Sequence, residues 1–333
     1  MQINSKISDF TAKQGFRLLK NILFAGVLYA VYILLKEKGE GIEEVFTYFR
    51  KMPMSLSMWI ILLLIPVNWA FEAWKWQRLA AKIEKISFRE AYQGVLAGLA
   101  LANFTPMMIG DYAGKILMLK TRNRTASIGA ILLGNGMQLY VSLLFGAISY
   151  GYFLWVAKPE PFILHISIVE LLFVLLLTGL WIAFNLQKLN LFNSSNKYFN
   201  SINQYLTILK DYSLSEIRYI FLIAASRYAV FSIQFLLVLQ LFQIDLPMVV
   251  LLVGVGIVFL TKTLGAAFNF LGDLSMRAIT SVYYFGYFGV RLSLITTATF
   301  TIWLINVLVP VIIGSMFILT LRLSTRNLKT STK

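Results

Sequence analysis

The sequence predicts an all-α polytopic membrane protein with about six spanning helices and two re-entrant (broken) helix pairs in an inverted-repeat arrangement. Hydrophobic residues make up 58% of the 333 residues, above the roughly 45–50% apolar content of soluble domains. Long apolar runs, such as 171–184 and 301–319, approach the ~20 residues that a bilayer core requires. The whole chain, 1–333, is therefore expected to form a single integral membrane domain.

The apolar segments set the order of the elements. The predicted spans lie at 18–35, 56–80, 125–157, 161–185, 217–242 and 292–320. Shorter apolar segments come in two pairs, at 88–103 with 111–120 and at 247–261 with 273–288. Several of them are too short to cross a ~30 Å core at 1.5 Å per residue. Interrupted hydrophobic segments in corresponding places indicate re-entrant helices.

Loop charge predicts the orientation of the chain. Basic residues concentrate in the N-terminal segment, in 75–89, in the 186–218 loop and in the C-terminal tail. If each short pair enters and leaves on one side, all of these segments lie on the same side, which the positive-inside rule makes the cytoplasm. We therefore expect a multi-pass protein of the cytoplasmic (inner) membrane with both termini cytoplasmic. The net charge of +15 is explained by this rule and by anionic lipids, with no nucleic-acid partner.

The predicted elements fall into two similar units, approximately 56–157 and 217–320, each with a span, a short pair and a span. Their predicted orientations are opposite, which is a transporter architecture. The pattern of glycine, acid, three residues and base occurs at the same point of both pairs, as Gly110, Asp111 and Lys115 and as Gly272, Asp273 and Arg277.

Two interpretations of this repeated pattern stay open. In the structural one, Asp111 caps the start of a half-helix and pairs with Lys115 one turn later, as Asp273 does with Arg277. In the functional one, the two helix N-termini, each with a nearby cation, line a site for a phosphate or another anionic headgroup.

Arg227 lies close to the midplane of its predicted span. It lies roughly 13 Å into its span at 1.5 Å per residue. An arginine at that depth costs at least ~2.5–3.5 kcal/mol, so it needs a partner or water. Glu170 is the candidate for a buried ion-pair partner, with Asp111 and Asp273 as alternatives. A structural pair and a ligand-facing role both remain open.

Other charged and aromatic residues are interpreted as anchors. The cluster from Trp69 to Arg78, which includes Glu72 and Lys75, follows apolar sequence near a predicted cytoplasmic end, where aromatic belts and snorkelling bases are typical. Lys262 is expected to complement the C-terminus of a half-helix.

The sequence carries no motif for catalysis or a cofactor. It has no G-x-S-x-G, H-E-x-x-H or P-loop pattern, no cysteine and a single histidine, His165. We therefore expect no enzyme activity, no cofactor and no metal site.

Two segments are similar to the signatures of a known family. LANFTPMMIGDYAGKILMLK at 101–120 and GDLSMRAI at 272–279 resemble the two signatures of the lysylphosphatidylglycerol synthase transmembrane-region (flippase-like) family. The resemblance implies a membrane domain that moves lipids or lipid-linked headgroups between leaflets. Carried over residue by residue, it points to Asn103, Pro106, Gly110, Asp111, Lys115, Gly272, Asp273 and Arg277.

The chain departs from the family pattern in three respects. The family usually has Glu and Arg where Asp111 and Lys115 stand, and its second signature often has Pro-Gly-Gly and a following Glu. The soluble aminoacyl-transferase domain of full-length synthases is absent from this sequence, so the resemblance does not imply lysyl transfer.

We therefore expect a flippase-like transporter that moves an anionic lipid or lipid-linked headgroup, with Arg227 added to the residues carried over. The alternative is a non-catalytic membrane subunit that scaffolds a separate lipid- or glycan-modifying enzyme. The expected partner is a membrane phospholipid or a lipid-linked substrate. A homo-oligomer and a partner enzyme both stay open.

Overall fold

The computed structural model describes residues 55–102, 105, 108–121, 124–188, 205–265, 270–319 and 321, with a few isolated positions before 55. Every regular element among these residues is helical. The helices are α1 Leu56–Ala80, α2 Phe88–Ala102, α3 Ile109–Leu117, α4 Arg124–Ala157, α5 Phe162–Asn185, α6 Leu214–Leu241, α7 Met248–Gly265, α8 Phe270–Tyr287, α9 Leu292–Trp303 and α10 Val309–Ile318. A 3-10 turn, Thr207–Asp211, precedes α6, and a π-helical segment, Leu304–Leu308, joins α9 to α10.

Five of the described helices are long and apolar enough to cross a membrane: α1, α4, α5, α6 and the continuous α9–α10 helix. They lie where the sequence predicts spans, so the all-α polytopic fold is confirmed. The predicted first span, 18–35, lies almost entirely outside the described residues. The long helices begin at sequence signals; α6, for example, has a capping box in which Ser213 and Glu216 satisfy each other's backbone N–H groups.

The short helices α2 and α3 form a tightly packed antiparallel hairpin. A Cβ on Gly114 would overlap the backbone of Gly98, and a Cβ on Gly110 would overlap the backbone of Leu101. The glycines therefore let the two helix backbones touch, as small residues do at helix interfaces in membranes. The repeated glycine before Asp111 thus has a packing reason in this first pair.

Helices α7 and α8 form the second antiparallel pair. Thr280 on α8 donates a hydrogen bond to Thr261 on α7 (2.8 Å), and the Tyr284 hydroxyl donates to the Val250 carbonyl (2.9 Å). Both pairs have the hairpin form that re-entrant helices require. Their return within the bilayer stays a prediction.

The packing between the two units follows a reciprocal pattern. Helix α1 packs against α6, which holds the corresponding place in the second unit. Helix α4, which ends the first unit, packs against α7, and α10, which ends the second, packs against α2. The last helix of each unit therefore packs against the first helix of the other unit's short pair. The opposite orientation of the two units across a membrane remains a prediction.

The π-helical segment between α9 and α10 has a local cause in the sequence. Pro310 lies at the start of α10 and has no backbone N–H, so it cannot bond to the carbonyl four residues earlier, that of Asn306. Local π-helical winding is one way in which a membrane helix accommodates a proline. The distortion places Asn306 in irregular backbone beside the centre of the molecule.

Candidate functional site

A cavity of about 290 Å³ lies between the two hairpins. Residues of α1–α4, α6–α8 and the π-helical segment line it. Its charged lining residues are Glu72, Lys75, Asp111, Lys115, Arg227, Lys262, Asp273 and Arg277. Five of these are basic and three are acidic, so the cavity carries a formal net charge of +2. Charges gathered inside a membrane helix bundle mark a functional site by default.

Glu72 on α1 is the centre of the first charged cluster. Its carboxylate lies 2.7 Å from the Lys75 ammonium, 3.1 Å from that of Lys115 and 3.0 Å from the Arg227 guanidinium. Lys115 also pairs with Asp111 at 2.9 Å. The side chains of Glu72, Lys75 and Lys115 are all less than a tenth exposed. Buried charges of this kind are tolerable because each has an opposite charge beside it.

Arg227 is held from several directions. Its Nε donates to the Asn68 side-chain oxygen (3.1 Å) and its Nη1 to that of Gln138 (3.3 Å). Its guanidinium carbon lies 4.9 Å from the Trp69 ring centroid, within range of a cation–π interaction.

The predicted pairing of Arg227 with Glu170 is corrected by the structure. Glu170 is exposed on α5, whereas Glu72 faces the cavity and forms the ion pair. The proposed anchor role of the Trp69–Arg78 cluster is likewise wrong for most of its members. Four of its six aromatic and charged residues are buried because α1 packs on α6 with this face inward: Trp69, Glu72, Lys75 and Trp76. Arg78 at the end of α1 is exposed.

The second charged cluster, formed by Lys262, Asp273 and Arg277, has fewer ion pairs than the first. Arg277 pairs with Asp273 through its Nε at 2.9 Å, which confirms the predicted pairing one helical turn apart. The Lys262 ammonium lies 5.6 Å from the Phe231 ring centroid and 5.8 Å from that of Phe259. It has no carboxylate within 4.0 Å among the described residues.

Phe231 on α6 lies where the two clusters meet. The Arg227 guanidinium carbon is 5.1 Å from its ring centroid, and the Lys262 ammonium is on the same ring. The two cations, one from each cluster, therefore share one aromatic side chain. The two charged clusters belong to one site.

The start of α3 differs from the expectation. The predicted cap, Asp111, lies within the first turn, and the Thr105 hydroxyl accepts from the Gly110 backbone N–H at 2.8 Å instead. The Asp111 carboxylate is directed to Lys115 and to Asn135, whose amide donates to it at 3.2 Å. Thr105 lies between the end of α2 and the start of α3, and its hydroxyl reaches forward along the chain to Gly110.

The remaining predicted site residues are placed only in part. Asn103 and Pro106 lie outside the described residues. Gly272 lies in the first turn of α8, and nothing further is described of its surroundings.

Sequence reasoning missed several cavity residues, among them Gln138, which accepts a hydrogen bond from Arg227, and two asparagines. Asn135 lies in the middle of an apolar helix and Asn306 lies four residues before Pro310, and both are amides inside predicted spans. That placement was the available signal, because amides are costly in a bilayer unless they have partners.

These features define the class first: a polytopic helical membrane protein with a charged cavity inside its helix bundle. The family follows from a match between the chain and a family model. Residues 22–314 match the lysylphosphatidylglycerol synthase TM region, and the chain belongs to that family. Membership places it among membrane proteins related to lipid modification or transport. Comparison with curated proteins and with solved structures gave no match.

Proposed function

We propose that this chain is a flippase-like transporter that moves an anionic lipid or lipid-linked headgroup between leaflets and is not itself an enzyme. The observation that carries the proposal is the central cavity with five basic and three acidic side chains. A headgroup that leaves water must exchange its hydration for other polar contacts. Fixed cations inside the bundle supply such contacts, while apolar lining residues such as Val95 and Leu99 suit an acyl chain.

The residues proposed for headgroup binding are those of the two repeated patterns together with Arg227. Asp111 and Asp273 hold Lys115 and Arg277 in place through ion pairs of 2.9 Å each. Gly110 lets α3 lie against α2. The same role is proposed for Asn103, Pro106 and Gly272 on the family resemblance.

The proposal is tested by reconstituting the purified chain in vesicles that contain a trace of phosphatidylglycerol with a fluorescent acyl chain. A membrane-impermeant reductant bleaches the outer leaflet. Without added nucleotide, we expect bleaching to proceed to the inner-leaflet pool only in vesicles that contain the protein, and faster than for a zwitterionic phosphatidylcholine probe. Bleaching that stops at the outer leaflet in both vesicle types would contradict transport. A stoichiometric partner that co-purifies with a non-transporting chain is the result expected of the scaffold alternative.

A further inference from the structure

We propose that the headgroup site is confined to the second half of the cavity, where Lys262, Arg277 and Asn306 bind a hydroxylated phosphate ester. The first half, around Glu72, is then a structural ion cluster that does not touch the phosphate, so this inference narrows the set proposed above and removes Lys115 and Arg227 from the headgroup contacts. This inference rests on the proposed function for its substrate class, and it assigns the binding site to three named side chains.

The cations of the first half are all engaged by carboxylates. Lys115 lies between Asp111 at 2.9 Å and Glu72 at 3.1 Å. Lys75 and Arg227 are within 3.0 Å of the same Glu72 carboxylate. An anion bound here would have to displace one of these carboxylates. On this side the Trp69 indole N–H and the Asn68 amide N–H lack an acceptor in the described part of the chain, and Lys75 meets Glu72 as an ion pair without hydrogen-bond geometry. Each cation of this half nevertheless has a carboxylate within 3.1 Å, which Lys262 lacks among the described residues.

The cations of the second half have donor groups that are available to bind an anion. Arg277 is 2% exposed and pairs with Asp273 through its Nε and, at 3.4 Å, through one terminal nitrogen. Its other terminal nitrogen, Nη1, has no acceptor among the described residues. Among the described residues, Lys262 contacts aromatic faces, those of Phe231 and Phe259, and no carboxylate lies within ion-pair distance. A buried donor without an acceptor carries a desolvation penalty, which a bound anion relieves.

Asn306 is the third unsatisfied group, and it is independent of the charged pattern. It is 1% exposed, lines the cavity, and neither its Nδ2 nor its Oδ1 has a hydrogen-bond partner among the described residues. It lies in the π-helical segment before Pro310, and such distortions occur frequently at functional sites. The amide of the first half, Asn135, is by contrast bound to Asp111.

The available polar atoms of these three side chains indicate which chemical groups the ligand carries. Lys262, Arg277 and Asn306 come from three different elements and line one cavity, so a ligand there is flanked by donors from separate parts of the chain. Such donors suit the tetrahedral oxygens of a phosphate. The free Oδ1 of Asn306 is an acceptor, which a phosphate oxygen cannot satisfy but a neighbouring hydroxyl can. A glycerol or sugar phosphate headgroup supplies both kinds of group.

The cation contribution is tested by calorimetric titration of the purified chain with glycerol 1-phosphate and with dihexanoyl phosphatidylglycerol. Lys262→Gln is expected to raise both dissociation constants about tenfold, the effect of losing one charge-assisted hydrogen bond. Lys120→Gln is the matched control, because Lys120 is exposed and outside the cavity; it should bind as wild type. Binding of glycerol 1-phosphate without the lipid would support the phosphate site and contradict a lipid cargo.

The contact between Asn306 and a hydroxyl of the ligand is tested with Asn306→Leu, and with Asn306→Ala if the leucine variant does not fold. Wild type should prefer glycerol 1-phosphate to ethyl phosphate, which has no hydroxyl, and the variant should lose that preference. Asn135→Leu, in the first half of the cavity, is the control and should keep the preference for glycerol 1-phosphate over ethyl phosphate. The thermal midpoint of Asn306→Leu should not fall, because the substitution removes a buried amide that has no hydrogen-bond partner in the described part of the chain.

Two results would overturn the inference. One is wild-type affinity for glycerol 1-phosphate in Lys262→Gln. The other is an unchanged preference over ethyl phosphate in a folded Asn306 variant. Both are binding measurements, so they are separate from the transport assay: a chain that transports lipid with these variants unaffected would refute the site and leave the proposed function standing.

Discussion

At the scale of single residues, Glu72 holds the first half of the cavity together. One carboxylate contacts three cations on α1, α3 and α6, which are Lys75, Lys115 and Arg227. Removing it leaves buried positive charges facing each other in a low-dielectric interior, which is far more destabilising than the loss of an exposed pair. Glu72 is therefore important for the stability of the fold as well as for the charge balance of the cavity.

Glu72→Gln is accordingly expected to destabilise the protein by about 3–5 kcal/mol, the range for breaking a buried ion pair by removing one partner. The measurement is the thermal unfolding midpoint of the detergent-solubilised protein. Glu170→Gln makes the same chemical change at an exposed glutamate and should leave the midpoint close to that of wild type. Equal shifts in the two variants would contradict the assignment of Glu72 as the partner of Arg227.

The residue-level ion pairs were predictable only where they are local. Asp111 with Lys115, and Asp273 with Arg277, follow from spacing on one helix face. Glu72 with Arg227 does not, because the partners lie on different helices and no local pattern specifies which carboxylate an isolated arginine meets. The tryptophans and bases around Glu72 also resemble an interface anchor, and only the packing of α1 on α6 shows that this face points inward.

At the scale of elements, the α2–α3 hairpin sets where Asp111 and Lys115 lie. Its two helices approach so closely that Gly98 and Gly114 contact through their backbones. The breaks after α2 and after α7, and the lengths of the long helices, were predictable from the apolar runs. The π-helical segment was not, because a proline in a span can be accommodated in several ways.

Gly114→Ala is expected to separate α2 from α3 and to destabilise the protein by about 1–3 kcal/mol, the usual effect of overpacking. Gly136→Ala is a control for helix propensity, since Gly136 lies in α4 with nothing within 4 Å of the added methyl group. It should be neutral or slightly stabilising. Equal thermal midpoints for the two variants would show that the hairpin is not held by this contact.

At the scale of the whole molecule, the predicted topology fixes the side of the membrane on which each loop lies. The chain contains no cysteine, so single cysteines introduced at exposed positions report accessibility without background. Lys85→Cys and Lys188→Cys should react with an impermeant maleimide only from the cytoplasmic side. Lys158→Cys and Asp245→Cys should react only from the outside. Labelling of Lys188→Cys from outside would contradict the topology in which each short pair returns to its own side.

The two halves of the molecule are alike in how their helices pack but not in how their charged side chains are paired. Pairing of helices between the two units is reciprocal, yet the ion pairing is not. Each base of the first half lies within 3.1 Å of a carboxylate, whereas Lys262 has no carboxylate within 4.0 Å, and Arg277 Nη1 has no acceptor, among the described residues. The repeated pattern in the sequence predicted the two halves. The asymmetry depends on Glu72 and on Asn306, which lie outside that pattern.

The central claim is that a phosphate-bearing lipid headgroup passes through this cavity and binds Lys262 there. Its most direct test is the rate of fluorescent phosphatidylglycerol transport in vesicles that contain equal amounts of wild type, Lys262→Gln or Lys120→Gln protein. We expect wild type and Lys120→Gln to transport at the same rate and Lys262→Gln to be slower by about tenfold. Equal rates for all three proteins, or no transport by wild type, would contradict the account.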